Sequence, residues 1–327
     1  MHQPRYTVAL TAADVGERVM IRHALDVVED GHSLSDVVGD LLAWDSGTLR
    51  IGTRSGVVAV AEAALVAGRR VPPSRLRRAL DASVPEVQRM SALSWQALET
   101  ERLGGWRLRA GAGFTGRANS VLPLGDPGLP LDLAIAHVER WYGDRGLRPR
   151  FQLPQPDSAA LSTALGERGW EVVDSAEVLV GDVAQALELA GESPRDLAPV
   201  TITDAPSPGW LAGYHYRGGQ LPAAGYTILT HHREPGFASV VEGGRVVAIA
   251  RGAVDAGWLG VTAVEVAEPY RRRGLGRHVM IGLLRWGQTL GARHAHLQVA
   301  VDNQGGKGLY ARIGFAFHHR YDYRVPQ

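Results

Sequence analysis

After Gly16 the chain alternates apolar and polar residues in four short runs, at 18–22, 36–44, 48–53 and 57–60, separated by Asp-Ser-Gly and Arg-Ser-Gly turns. A period of two places one side of each run on a core, so the pattern predicts a small antiparallel barrel of SH3-like size over 16–73, closed by Pro72-Pro73. The pattern then changes period. A helix is expected over 85–102, a strand over 106–110 and another over 121–124. From about residue 200 a helical, aromatic segment carries Trp210, Leu211, Tyr214, Tyr216 and Tyr226. A hairpin of 237–241 and 245–254 follows on the Gly243-Gly244 turn, and 258–266 continues the sheet. Its last residues, 263–266, run through a break at Glu268 and Pro269 into a helix marked by Val279, Met280, Leu283 and Leu284.

The middle and the end of the chain resemble each other. Arg140-Trp141 matches Arg285-Trp286, Phe151-Gln152-Leu153 matches Leu297-Gln298-Val299, and Gly169-Trp170 matches Gly314-Phe315, with spacings of 145 or 146 throughout. One supersecondary unit is used twice, and the polar stretch 191–196 links the copies. The division that follows is 1–80 for the barrel with its basic hinge of Arg69, Arg70, Arg75, Arg77 and Arg78, 81–195 for the first copy, and 196–327 for the second. Taken as a solvated linker, the hinge is featureless. Taken as a docking arm, it would serve a partner or nucleic acid.

Composition narrows the classes. With 35 basic and 34 acidic residues the net charge is +1, which supplies no global field for a phosphate backbone and argues against nucleic acid as the main partner. Lys307 is the sole lysine, so the basic residues are otherwise arginine. The chain has no cysteine, which excludes disulfides, thiolate metal sites and a thiol nucleophile. No metal is expected, since no histidine or aspartate spacing suggests one. With no signal pattern and no apolar run of membrane length, a cytoplasmic protein is the expectation. Two nucleotide-like motifs fail on context. Gly111-Ala112-Gly113-Phe114-Thr115-Gly116 is followed by a strand rather than a helix, and Gly305-Gly306-Lys307-Gly308 lacks both the first glycine and the Ser or Thr of a Walker loop.

The strongest chemistry lies at 264–277. A strand handing over to a helix through glycines is an anion site, because the first-turn amides have no intrahelical partner and sit at the positive pole of the helix. Gly274 and Gly276 allow close approach, and Arg271, Arg272, Arg273 and Arg277 add charge. Arg271, Gly274 and Gly276 form Arg-x-x-Gly-x-Gly after Val266, and Asn303, Leu309-Tyr310 and Gly314-Phe315 form a second block with Gly306 in place of an alanine. Together the two blocks resemble the acyl-CoA signature of the GNAT (Gcn5-related N-acetyltransferase) superfamily. The resemblance covers about 198–327 directly and 86–185 through the repeat. In outline it is like tandem members of that superfamily.

This resemblance implies an α/β fold with a mixed central sheet, acetyl-CoA as co-substrate, and an N-acetyltransferase acting on an amine that the sequence does not identify. Main-chain groups at Val264 and Val266 would pair with the pantetheine arm. The turn of Arg271, Arg272, Arg273, Gly274, Leu275, Gly276 and Arg277 would take the diphosphate, and Asn303 would contact the cofactor. Tyr310 is the implied general acid, and Glu265, the carboxylate of the central strand, the candidate base. In the first copy the same place holds Gly125-Asp126-Pro127-Gly128-Leu129-Pro130, whose prolines lack amides and whose Asp126 repels phosphate, so this copy should not hold CoA. The residue matching Tyr310 is Leu165. Aromatics and histidines ahead of the hairpin, including His215, His231 and His232, are expected to wall the acceptor site. A second reading stays open, that of an acyl-CoA-binding regulatory module whose barrel recruits a protein partner.

Overall fold

A computed structural model describes residues 8–29, 32–53, 56–71, 78–194, 196–215 and 221–327, and divides the chain into two units, Met1–Arg77 and Arg78–Gln327. Pro72, Pro73, Arg75, Arg77, Arg195 and Tyr216, singled out above, lie outside the described residues.

In the first unit β1 (Arg18–Glu29), β2 (His32–Asp45), β3 (Thr48–Thr53), β4 (Gly56–Ala61) and β5 (Leu65–Arg70) form an antiparallel, barrel-like sheet in the order β4-β3-β2-β1-β5. Alternation puts Val19, Ile21, Leu41, Leu49, Ile51 and Val60 in one core with Leu10. One expectation is corrected here. Arg69 and Arg70 are not hinge but the end of β5, where Arg70 pairs with buried Asp14. Their strand neighbours Leu65 and Gly68 carry too little alternation for the pattern to show.

The second unit opens with α1 (Val84–Ser94), which starts on the Ser83 side chain accepting the Glu86 amide. The helix expected over 85–102 stops at Ser94, and β6 (Glu99–Leu103) pairs instead with β7 (Trp106–Ala110). Glu99, Thr100 and Glu101 have helix-tolerant side chains, but the Gly104-Gly105 turn makes them the outer arm of a hairpin. Then come β8 (Leu122–Pro123), α2 (Leu131–Gly143), β9 (Phe151–Pro154), α3 (Ala159–Glu167), β10 (Trp170–Asp182) and α4 (Val183–Ala190). In the second copy β11 (Val200–Thr203), α5 (Pro208–Gly213), α6 (Ala223–Thr230), β12 (Pro235–Glu242), β13 (Arg245–Asp255), β14 (Trp258–Val266), α7 (Leu275–Thr289), β15 (His294–Ala300), α8 (Gln304–Arg312) and β16 (Ala316–Pro326) follow. The run β8-α2-β9-α3-β10 is thus repeated as β14-α7-β15-α8-β16, which is the internal repeat seen in the sequence.

The copies exchange their last strands. The main sheet has the order β11-β12-β13-β14-β15-β10-β16-β9, so β10 of the first copy lies antiparallel between β15 and β16 of the second. In turn β16 lies between β10 and β9, and a parallel bridge from Val121 to Phe151 carries the sheet on to the strands β8, β7 and β6. Neither copy completes its sheet alone. One face of the second copy packs on α7 through Val247, Leu259, Val261, Val279, Met280 and Leu283. The other face is covered by α1, α5 and α6 through Trp95, Trp210, Ile228, Phe237 and Ile249.

Gly260 on β14 is where α1 of the first copy touches the sheet of the second. A Cβ there would collide with the Cβ and Oγ of Ser94. Gly260→Ala is therefore expected to destabilise the unit by about 1–3 kcal/mol, because the helix backbone must shift to admit a methyl group. A lowered urea midpoint at unchanged m-value checks this. Among the described residues no helix is long and apolar enough to cross a membrane.

Candidate active site

The site is built around the end of β14. Its parallel ladder with β15 runs from Trp258↔His294 to Val261↔Leu297 and stops. Just beyond, Ala263 takes φ +53, and pairing with β13 steps from Arg251↔Thr262 to Ile249↔Glu265. Two residues of β14, Ala263 and Val264, thus face one of β13, Ala250, which is a bulge that turns the strand away from β15. The β15-facing edge of 262–266 has no ladder pair among the described residues, and on it Val266 O accepts only from the Arg271 side chain. Val264 and Val266 pack on the α7 core, and Glu265 points to the opposite face.

The turn that follows ends in α7. Arg272 and Gly274 have φ +62 and +85, the left-handed region that glycine adopts at least cost. Within the helix His278 N–H donates to Gly274 O at 2.9 Å, which leaves the amides of Leu275, Gly276 and Arg277 ahead of the first helical bond. Gly276 lies close against α8. A Cβ would come within 3.1 Å of Leu309 Cδ2 on α8. The arginine side chains scatter rather than converge. Arg271 Nε donates to Val266 O at 3.2 Å, Arg273 pairs with Glu242 at 2.9 Å, and Arg277 donates to Ala190 O and Glu192 O. What converges is backbone, so this turn fits an anion through its amides. The first copy differs as the sequence suggested. Asp126 Oδ1 already accepts the Gly128 amide at 2.6 Å, and Pro130 stands at the start of α2.

Asn303 is the N-cap of α8, its side chain accepting the Gly306 amide at 2.9 Å. A Cβ on Gly306 would lie 2.9 Å from Asn303 Nδ2, so an alanine there would need the Asn303 amide end to shift. Tyr310, two turns along α8, is 8% exposed and packs in the α7 core with its ring 6.2 Å from Phe315. Burial pushes its hydroxyl up to about 12, so the group stays protonated at working pH.

A cleft of ≈ 450 Å³ opens on the other face of β14, lined by Gly213, His215, Ile249, Glu265, Val266 and Arg271 among others. Here Glu265 Oε1 accepts the His215 backbone N–H at 3.0 Å, and Oε2 lies 2.9 Å from His215 Nδ1. Fifty residues of chain separate the two, so no motif in the sequence announces the pair. Hydrogen bonds tie down the sheet face behind. Trp210 Nε1 donates to Ala238 O at 3.0 Å and stacks on Tyr214, and buried Arg251 donates to Leu229 O and Ser94 O. Desolvation lowers the Arg251 guanidinium to about 9. His232 lies elsewhere, its ring between Asp255 and the Glu234 amide, in a second pocket with Thr203, Pro235 and Trp286. His231 is exposed. Among the described residues no cluster could hold a metal ion.

Comparison with known proteins identifies the family. A family model described as "Probable histone acetyltransferase Rv0428c C-terminal" matches residues 82–324, and one described as "Rv0428c N-terminal Sm-like domain" matches residues 13–69. Over 306 residues the chain is 33% identical to the probable histone acetyltransferase Rv0428c of Mycobacterium tuberculosis, covering 90% of each protein. Of solved structures, a GCN5-related N-acetyltransferase from Kribbella flavida superposes with a TM-score of 0.55 at 17% identity, covering 75% of this chain and 96% of the other. A tandem GNAT protein from the clavulanic acid biosynthesis pathway superposes with a TM-score of 0.51 at 15% identity, covering 78% and 88%. Those two likenesses concern the fold.

Proposed function

The chain belongs to the Rv0428c family of N-acetyltransferases, a tandem GNAT fold behind an Sm-like domain, and from that premise we propose that its second copy transfers an acetyl group from acetyl-CoA directly to an amine. The observation that carries this reading is the conjunction of unclaimed amides at the start of α7 with a strand edge that opens beyond Val261. In it, the amides from Arg272 to Arg277 hold the diphosphate and the β14 edge at Val264 and Val266 pairs with the pantetheine amides. Arg271 and Arg273 brace the turn from outside through Val266 O and Glu242. Asn303 holds the start of α8 against the cofactor.

Held this way, the thioester lies in the gap between β14 and β15, with different chemistry on either side. Positioning of this kind is worth about 7–11 kcal/mol when the geometry is good. On the core side Tyr310, kept neutral by burial, donates its proton to sulfur as the C–S bond breaks. On the cleft side the acceptor enters against Glu265. In this partition 1–80 is an accessory domain, 81–195 a strand donor and wall, and 196–327 the catalytic copy. The acceptor is an amine of a small molecule, peptide or protein, with the Sm-like domain as the place where a protein partner would dock.

The test is release of free CoA from acetyl-CoA in the presence of a panel of primary amines. Amine-dependent release is the expected result. Tight acetyl-CoA binding with no amine acetylated would instead support a regulatory module.

A further inference from the structure

We propose that His215, and not Glu265, takes the proton from the acceptor amine, with Glu265 as the residue that positions it. The proposal rests on the transferase reading above. Both carboxylate oxygens of Glu265 are engaged by His215, Oε1 by its backbone N–H at 3.0 Å and Oε2 by Nδ1 at 2.9 Å. A bond from Nδ1–H to a carboxylate fixes the tautomer and leaves Nε2 as the ring's lone-pair atom. That ring lines the cleft and its side chain is 63% exposed, against 29% for Glu265, so incoming amine meets the imidazole first.

The chemistry asks for such a base. At pH 7 only about one alkyl amine in 2,500 is neutral, given an ordinary value near 10.4. As a class, imidazoles are better matched to neutral pH than carboxylates by about two units. Among the described residues the other charged groups on the cleft are Glu268, which favours an ammonium at the mouth, and Arg271, whose Nε is turned to Val266 O. The protons balance as follows. Nε2 of His215 takes one proton from the ammonium, the freed amine forms the N–C bond to the acetyl carbon, and the C–S bond breaks as Tyr310 protonates sulfur. The second amine proton, lost on collapse to the amide, returns to the Tyr310 oxygen, and His215 gives its proton to water.

Geometry also separates base from acid in the required sense. Glu265 and His215 lie on the cleft face of β14, while Tyr310 shares the opposite face with Val264 and Val266. Nucleophile and leaving group are therefore served from two sides of one strand.

The experiment measures acetyl transfer to a responsive primary amine in the full chain for wild type, His215→Gly, His215→Asn and Glu265→Gln, with acetyl-CoA affinity and thermal midpoint alongside. Both His215 variants are expected to lose about 10²-fold or more in kcat at pH 7 with acetyl-CoA affinity unchanged. Added imidazole should restore His215→Gly in proportion to its concentration, and raising the pH should narrow the gap as the amine deprotonates itself. Glu265→Gln, which keeps one acceptor for the ring, should lose about 10-fold. A His215→Gly or His215→Asn rate within threefold of wild type overturns the proposal and leaves the transferase standing. So does a loss that neither imidazole nor high pH repairs, which is the signature of a merely structural tether. A wild type that acetylates no amine overturns both.

Discussion

Tyr310→Phe is expected to lower kcat by about 10²-fold or more while leaving acetyl-CoA affinity within twofold of wild type. The change removes only a hydroxyl. Ring volume, the packing on Phe315 and the backbone bond from Phe315 N–H to Tyr310 O are all retained, so α8 should keep its place. A structural hydroxyl would show differently. Thermal stability and cofactor affinity would then fall together, by about 1–3 kcal/mol for a buried partner left unsatisfied. Parallel measurement of rate, affinity and melting temperature distinguishes the two, and an unchanged rate would remove Tyr310 from the chemistry.

A large effect is also expected on acid stability. His296 and His319 are buried where the copies meet, and burial drives both imidazoles down to about 3 from an ordinary 6.5. At His319 the hydrogen bonds run one way. Gln152 Nε2–H donates to Gln88 Oε1, Gln88 Nε2–H to His319 Nε2, and the Nδ1 atoms of His319 and His318 lie 2.7 Å apart, with His318 Nε2 on Ala82 O. A proton on His319 Nε2 would face the Gln88 amide donor, and nothing in the relay can reverse to accept it. His296 sits between Ser91 and Ser94 at 3.4 Å from each hydroxyl.

Both groups are depressed in the folded state, so between pH 6.5 and 3 the unfolded chain binds more protons. Stability is therefore full above about 6.5, falls as the pH drops through that window, and levels near 3. The slope is about 1.4 kcal/mol per pH unit for each histidine, or on the order of 2 kcal/mol each between pH 6.5 and 5. Urea midpoints at pH 7.5 and 5.0 report it. His319→Gln should flatten the dependence, and equal midpoints for wild type at the two pH values would contradict the account.

How much of this was legible beforehand follows from the range of each interaction. The glycine turn into α7 and the Asn303 to Phe315 block are local, each written within about a dozen residues, and the elements around them form where the pattern placed them. The repeat was legible for the same reason, since Trp141 and Trp286 each mark the buried face of one helix. Strand exchange was not. The apolar face of β10 reads the same whether it pairs with its own copy or with β15 and β16, and only tertiary register decides. Glu99–Leu103 was misread because β-propensity on an outer hairpin arm is weak, and pairing with Trp106–Ala110 overrides it. Within the site, alternation placed Glu265 opposite Val264 and Val266 but could not name the cleft face. Its bond to His215 depends on α5 folding back over β13, a contact that no spacing in the sequence encodes.

One acyl-CoA site per chain, made by the backbone at the start of α7, is the expectation on which the proposed function stands. Titration calorimetry of the full chain with acetyl-CoA tests this most directly, beside the double variant Gly274→Pro, Gly276→Pro. The expected result is one site for wild type, abolished in the variant at an unchanged circular-dichroism spectrum, because proline cannot adopt φ +85 at 274 and removes an amide at 276. Two sites in wild type, or one that survives both prolines, would contradict it.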